Sequence, residues 1–174
     1  MPVARTPRSV NLGRLDMTRL LKLVHLLALV RFLGSVLTYI VISSLTQGAD
    51  VGTVVFGRRI IATGTRVLTL PGVWLLAVTG VWMGLRGGGL RQRFFQIKAV
   101  LVVLVLANTY LFILPAEQAA TDIATASLAQ GTLSPAYADA SLKESVCGGV
   151  NILLALAAAV VGVWKFGMRP ARAR

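Results

Sequence analysis

Two uncharged runs of about twenty residues constrain this chain more than any other feature of its sequence. One run of 19 residues lies between Arg66 and Arg86, and another of 20 residues lies between Glu144 and Lys165. A helix rises about 1.5 Å per residue, so about 20 apolar residues cross the hydrocarbon core of a bilayer. The chain is 56% hydrophobic with a mean hydropathy of +0.76, which is too apolar for an ordinary soluble domain. The sequence therefore predicts an integral membrane protein.

Two further apolar stretches complete a predicted all-α bundle of four transmembrane helices over residues 19–168. The spans are predicted at about 19–45, 67–85, 97–116 and 146–166. Residues 117–145 are expected to form an external polar loop, whose Ala-rich first half could lie as a short helix on the membrane surface. Basic segments at residues 1–18 and 169–174 are expected to lie in the cytoplasm.

The placement of the basic residues predicts the orientation. The chain has 18 Lys and Arg residues against six Asp and Glu residues. Because the basic residues flank the apolar stretches, they indicate membrane orientation and do not favour a nucleic-acid partner. Thirteen of them fall on the side that holds both termini, and four fall on the other side. The positive-inside rule then predicts a multi-pass protein of the bacterial inner membrane with both termini cytoplasmic.

The connections and the single cysteine offer little chemistry. The segment RGGGLRQR, residues 86–93, is expected to make a tight turn. A phosphate-binding nest is the alternative there, but no Lys-Ser/Thr pair follows it. Cys147 has no second cysteine to pair with and is expected to be a packing residue. No internal repeat is apparent.

The first span contains three ionisable residues, which are costly at membrane depth. Lys22 is expected to extend its ammonium towards the headgroups. Arg31 lies near mid-bilayer if the span begins near residue 20, and it would then point into the bundle or at an anionic group such as a propionate. If the span begins near residue 27, Arg31 snorkels. His25 is the only histidine of the chain. It is either a hydrogen-bonded structural residue or a residue that binds a ligand or handles a proton.

Three residues from three different spans could meet in the cytoplasmic half of the bundle. These are His25, Met83 and Lys98, and haem iron accepts a histidine and often a methionine as axial ligands. A b-type haem bound by two histidines of this chain is excluded, because there is no second histidine. Zinc is disfavoured, because no Cys/His cluster exists.

The positions of the carboxylates in the sequence do not favour acid–base catalysis. All six are assigned to loops or to the edges of spans, which disfavours hydrolysis and proton-coupled transport: Asp16, Asp50, Glu117, Asp122, Asp139 and Glu144.

Short motifs give the chain a resemblance to known membrane families. They are K-x-x-H (Lys22 and His25) with Gly34 nine residues on, Leu-Pro at Pro71 with Gly80 nine residues on, Lys98 at the third span, and the ending VWKFGMRP with Met168. The pattern resembles a bacterial four-span family of predicted integral membrane proteins of unknown function. It is more distantly similar to the HemJ-type protoporphyrinogen oxidases and the copper-resistance D proteins.

The HemJ-type resemblance implies a b-type haem on His25 and a functional role for Lys98. The sequence departs from that pattern at Arg31, at Phe32 in place of the usual tryptophan, and in RQRFFQIK before the lysine.

The sequence therefore leaves two main hypotheses for the function. One is a non-catalytic accessory subunit, which packs against other subunits of a respiratory or photosynthetic membrane complex. The other is a haem b oxidoreductase of HemJ type, with His25 as the iron ligand and Lys98, Met83 and Arg31 around the cofactor. A small transporter or metal-resistance protein ranks last, because no dedicated ligand cluster is visible.

Overall fold

The computed structural model describes residues 12–86 and 92–164, with side chains from residue 17 onward. The predicted glycine turn at 87–91, Lys165 and Met168, and the terminal segments 1–11 and 165–174 lie outside the described residues. The remaining chain forms helices joined by short turns. In chain order they are α1 (Leu12–Thr46), α2 (Val51–Gly64), α3 (Leu70–Arg86), α4 (Arg93–Asn108), α5 (Leu114–Ser127) and α6 (Ala136–Trp164).

Two of these boundaries are not breaks in the helix. A five-residue π-helical segment, Thr65–Thr69, joins α2 to α3, and a second one, Thr109–Ile113, joins α4 to α5. The chain therefore has four long helices within the described residues, each apolar and long enough to cross a membrane: Met17–Thr46, Val51–Arg86, Arg93–Gln130 and Ala136–Trp164. The prediction of an all-α, multi-pass, four-helix membrane bundle is confirmed.

The helices extend well beyond the predicted spans on one side of the bundle. Most of residues 117–145 are helical, because α5 continues the third long helix to Ser127 and α6 begins at Ala136. The physical reason is a periodic apolar face in the Ala-rich sequence: Ala116, Ala120 and Ala124 recur every four residues and are all buried. Gly131 makes the turn between the two helices with a positive φ of 67°.

The four long helices form two hairpins. α1 packs along α2 and α3, and α6 packs along α4 and α5. We call the half that contains α2, α5 and the start of α6 the outer half, and the half that contains α3, α4 and the end of α6 the inner half. The hairpins join in the outer half, where α2 packs on α5, while α3 and α4 touch only sparingly in the inner half.

Each half has its own small apolar core. In the outer half Val51, Val54 and Val55 of α2 pack against Ala124 of α5. In the inner half Phe32, Val73 and Val105 come together from three helices. Most other large apolar side chains lie on the outside of the bundle, as expected for helices whose outer surface contacts lipid acyl chains.

The two π-helical segments share a short sequence pattern. They lie in TRVLTLP and TYLFILP, which both place a threonine six residues before a proline that follows leucine. In each case the leucine N–H bonds to the carbonyl of that threonine, five residues back. Pro71 and Pro115 lack an N–H, so the carbonyls of Val67 and Leu111 lose their regular helical donor.

Candidate functional site

The His25 imidazole lies in the inner half, between α1 and α3. Its Nδ1 is 2.7 Å from the Thr79 Oγ1 atom. The Thr79 hydroxyl donates its own proton to the Leu75 carbonyl at 2.6 Å, so we assign it as the acceptor of the His25 Nδ1–H. The neutral imidazole then carries its free lone pair on Nε2.

Glycine and lysine complete the surroundings of this imidazole. A Cβ atom on Gly80 would lie 3.5 Å from the His25 Cε1 atom, an ordinary van der Waals distance, so the ring packs against the backbone of α3 at Gly80. Lys98 of α4 is half-buried, and its ammonium is close enough to act electrostatically on His25. The end of the Lys98 side chain lies against Gly162 of α6. The His25 and Lys98 side chains are thus within electrostatic range of each other, and each lies beside a helix glycine.

Met83 and Arg31 have different surroundings. Met83 is half-buried and lies one helical turn beyond Thr79 on the same face of α3. Arg31 lies on the outside of the bundle and donates a hydrogen bond from Nη2 to the Val67 carbonyl. That carbonyl is the one that Pro71 deprives of its regular donor. Arg31 therefore has a backbone partner, which neither of its two expected roles included.

The inner half favours an anionic group over a cation. Among the side chains that the structure describes, the carboxylates are all in the outer half or its turns: Asp50, Glu117, Asp122, Asp139 and Glu144. Lys98 and His25 therefore have no described carboxylate at their own level of the bundle. Within the same residues, no group of three or more His, Cys, Asp and Glu side chains could hold a metal ion.

A second cluster, in the outer half, was missed by sequence reasoning. The buried Arg58 of α2 forms a 2.6 Å salt bridge with Glu144 of α6 and donates to the Glu117 backbone carbonyl at 3.1 Å. Thr65 donates to the Glu117 carboxylate at 2.7 Å. Glu117 and Glu144 lie within helices and not in a loop, and Glu117 has 6% of its surface exposed.

A periodic signal in the sequence could have located this cluster. Val51, Val54, Arg58, Ile61 and Thr65 recur at intervals of three and four residues, which places Arg58 on the buried face of α2. A charged residue on such a face requires a partner of opposite charge from a neighbouring helix.

Neutral polar side chains pair across helices at mid-bundle. Ser35 of α1 hydrogen-bonds Thr69 at 2.8 Å, and Thr69 donates to the Tyr39 hydroxyl at 3.1 Å. On the other hairpin, Asn108 donates to Asn151 at 2.8 Å, and the Asn151 amide donates to the Thr109 hydroxyl at 2.8 Å. Each network includes a threonine at one end of a π-helical segment, so these segments coincide with the polar contacts that hold each hairpin together.

Comparison with known proteins finds no matching family model, no matching curated protein and no matching solved structure.

Proposed function

We propose that this chain is a non-catalytic accessory subunit of the bacterial inner membrane, with both termini cytoplasmic, which packs against a larger respiratory or photosynthetic complex. The observation that supports this proposal most is the internal pairing of its polar groups. Arg31, Arg58 and Asn151 all bond to neighbouring helices. Their role in this arrangement is to hold helices together.

The fourth helix is the best candidate for the contact with other subunits. Of its most apolar 18-residue window only 6% is buried inside the bundle, against 33% for the second long helix. Leu153, Leu156 and Val160 lie on its outer surface. A partner helix could cover this face with van der Waals contacts alone, as helices in lipid associate.

The experiment is gentle detergent extraction of the tagged protein, followed by native electrophoresis and mass spectrometry. We expect a defined complex much larger than one 18.5 kDa chain. Leu156→Trp on α6 should release the chain from it, while the matched change Leu37→Trp, on the exposed side of α1, should not. A wild-type chain that extracts only as an isolated bundle would contradict the proposal.

A second candidate function is a haem b oxidoreductase similar to the HemJ-type enzymes, and the His25 geometry favours it. Histidines that ligate metals usually donate their other ring N–H to a fixed acceptor, and Thr79 is such an acceptor here. The described residues supply part of a haem site: His25 Nε2 would bind the iron, and Lys98 would pair with a propionate. Bound haem would supply one-electron transfer.

An absorption spectrum separates the two functions. A haem protein purified with haem supplied should show a Soret band, which His25→Ala abolishes and Lys98→Gln weakens. Thr79→Val should shift the band or reduce haem occupancy, since it removes the partner that orients the imidazole. A colourless wild-type protein would reject the haem function and leave the accessory proposal untouched.

A further inference from the structure

α3 carries a groove on the side turned away from α1. Gly72, Thr79 and Gly80 face α1, where they meet Phe32 and His25. The groove has a volume of about 550 Å³ and is formed by α3 residues alone. Its floor is formed by the small aliphatic side chains of Ala77, Val78 and Val81. This floor lies between the indoles of Trp74 and Trp82, and the Arg86 guanidinium lies at one end.

Both aromatic walls of this groove are held in place. The Trp74 indole donates from Nε1 to the Tyr110 hydroxyl of the third long helix at 2.8 Å. The Arg86 guanidinium carbon lies 5.5 Å from the centre of the Trp82 ring, which is within the range of a cation–π interaction. The groove is therefore preformed, and a ligand would lose little free energy in ordering its walls.

The chemistry of the groove changes along its length. Trp74 and Trp82 are eight residues apart, which is about 12 Å along the helix axis. Since α3 belongs to a membrane-crossing helix, the groove runs in the same direction as the acyl chains of the bilayer. Its apolar part points towards mid-membrane, and Arg86 lies at the end of α3. A hydrocarbon chain with an anionic head at one end complements this pattern.

We propose that the α3 groove is a binding site for one anionic phospholipid. One acyl chain lies between Trp74 and Trp82, and the phosphate of the headgroup is bound at Arg86. An uncharged lipid would satisfy the apolar floor but leave Arg86 without an anionic partner. A transmembrane helix of another protein would cover the groove without selecting for a headgroup.

The test uses tryptophan fluorescence of the full chain in the Trp164→Phe background, so that emission comes from Trp74 and Trp82 alone. The protein is reconstituted in phosphatidylcholine vesicles that contain a small fraction of acyl-brominated lipid, which quenches adjacent indoles. We expect brominated phosphatidylglycerol to reach half-maximal quenching at about fivefold lower mole fraction than brominated phosphatidylcholine with the same chains. Unbrominated phosphatidylglycerol should compete and restore the emission.

Matched variants locate the lipid. Arg86→Gln should remove the preference for phosphatidylglycerol, whereas Arg19→Gln, a change of equal charge near the same membrane surface, should keep it. Val81→Phe should fill the groove and reduce saturable quenching, whereas Leu153→Phe on the exposed face of α6 should not. If the two brominated lipids quench the wild-type protein equally, the proposal is overturned. The wild-type competition experiment decides this even where a variant is poorly folded.

Discussion

At the residue scale, Arg31 acts on a backbone carbonyl rather than on another charge. Pro71 removes the N–H that would otherwise bond to the Val67 carbonyl, and the Arg31 guanidinium replaces it. In a bilayer such a carbonyl has no water to bond, so an internal donor is required. The unexpected Arg31 of the first span and Pro71 of the second are therefore coupled, because Arg31 supplies the hydrogen-bond donor that Pro71 removes.

This pairing predicts a coupled effect of two substitutions. Arg31→Gln should destabilise the protein by about 1–2 kcal/mol, because the Val67 carbonyl loses a charged donor. In a Pro71→Ala background, residue 71 supplies an N–H again, and Arg31→Gln should cost much less. The measurement is a double-mutant cycle on unfolding in detergent. Equal costs of Arg31→Gln in both backgrounds would show that Val67 is not its partner.

Asp50 gives the chain a pH-dependent helix start. Its carboxylate accepts hydrogen bonds from the hydroxyl and the N–H of Thr53, and these lower the pKa of Asp50, the hydroxyl contributing most. A lowered pKa in the folded state means that the stabilisation is present above the ordinary carboxyl pKa. It is lost as the pH falls through the folded-state pKa.

We therefore expect wild-type protein to lose more stability on acidification than the Asp50→Ser variant. Serine also caps a helix but does not titrate. Thermal unfolding of both proteins in detergent between about pH 7 and pH 3 measures the difference. Parallel curves for the two proteins would contradict the role of the Asp50 carboxylate.

At the scale of the helices, the buried charges of the outer half join the two hairpins. Arg58 belongs to α2 of the first hairpin, and it bonds to α5 and α6 of the second. Among the described residues of the inner half, the two hairpins are joined by a hydrogen bond between neutral groups, from Trp74 to Tyr110, and α3 and α4 contact each other sparingly. The Arg58 cluster should therefore contribute more to the association of the hairpins than any polar pair within one hairpin.

Removal of Arg58 tests this role directly. Arg58→Met should destabilise the bundle by about 3 kcal/mol, because it leaves the half-buried Glu144 carboxylate without its partner. Arg59→Met, the same change at the adjacent exposed residue, should shift stability by less than about 0.5 kcal/mol. Chemical unfolding in detergent gives both values. Similar values for the two variants would contradict the assignment of Arg58 as the link.

The sequence predicts the helices better than it predicts their contacts. Uncharged runs such as residues 67–85 suffice to indicate a span, because the bilayer imposes length and polarity on any helix that crosses it. The extension of α5 beyond Pro115 was missed, since Glu117 and its polar neighbours suggest a loop when residues are judged by composition. The four-residue spacing of Ala116, Ala120 and Ala124, which are all buried, indicates that this segment is a helix with one face in the core.

The candidate site was predictable only in part, for a physical reason. The predicted depths of His25 and Lys98 in the membrane suggested that they lie at one level of the bundle, and in the structure they are within electrostatic range of each other. The partner of His25 could not be foreseen, because many threonines face the interior and only the packing of α1 on α3 selects Thr79. The partner of Arg31 depends in the same way on the proline in another helix.

At the scale of the whole molecule, the long helices exceed the thickness of a bilayer, and the described carboxylates lie in one half of the bundle. The second long helix has 36 residues, which is about 54 Å of helix, against a hydrocarbon core of about 30 Å. The outer half carries the carboxylates described above, and the inner half lies between the basic segments of the sequence. These features fit a chain that crosses the membrane four times, and they agree with the proposal that both termini are cytoplasmic.

Cysteine labelling of intact spheroplasts tests this membrane topology most directly. In a Cys147→Ala background, single cysteines are introduced at Gln47 and at Thr132, which are exposed in the turns after α1 and α5, and at Ser9 in the basic N-terminal segment. Thr132 is preferable to the nearby Ser127, which is buried and accepts a hydrogen bond from Ser134. An impermeant thiol reagent should label Gln47→Cys and Thr132→Cys in intact spheroplasts and Ser9→Cys only after lysis. Labelling of Ser9→Cys without lysis, or protection of either turn, would contradict the four-span arrangement with cytoplasmic termini.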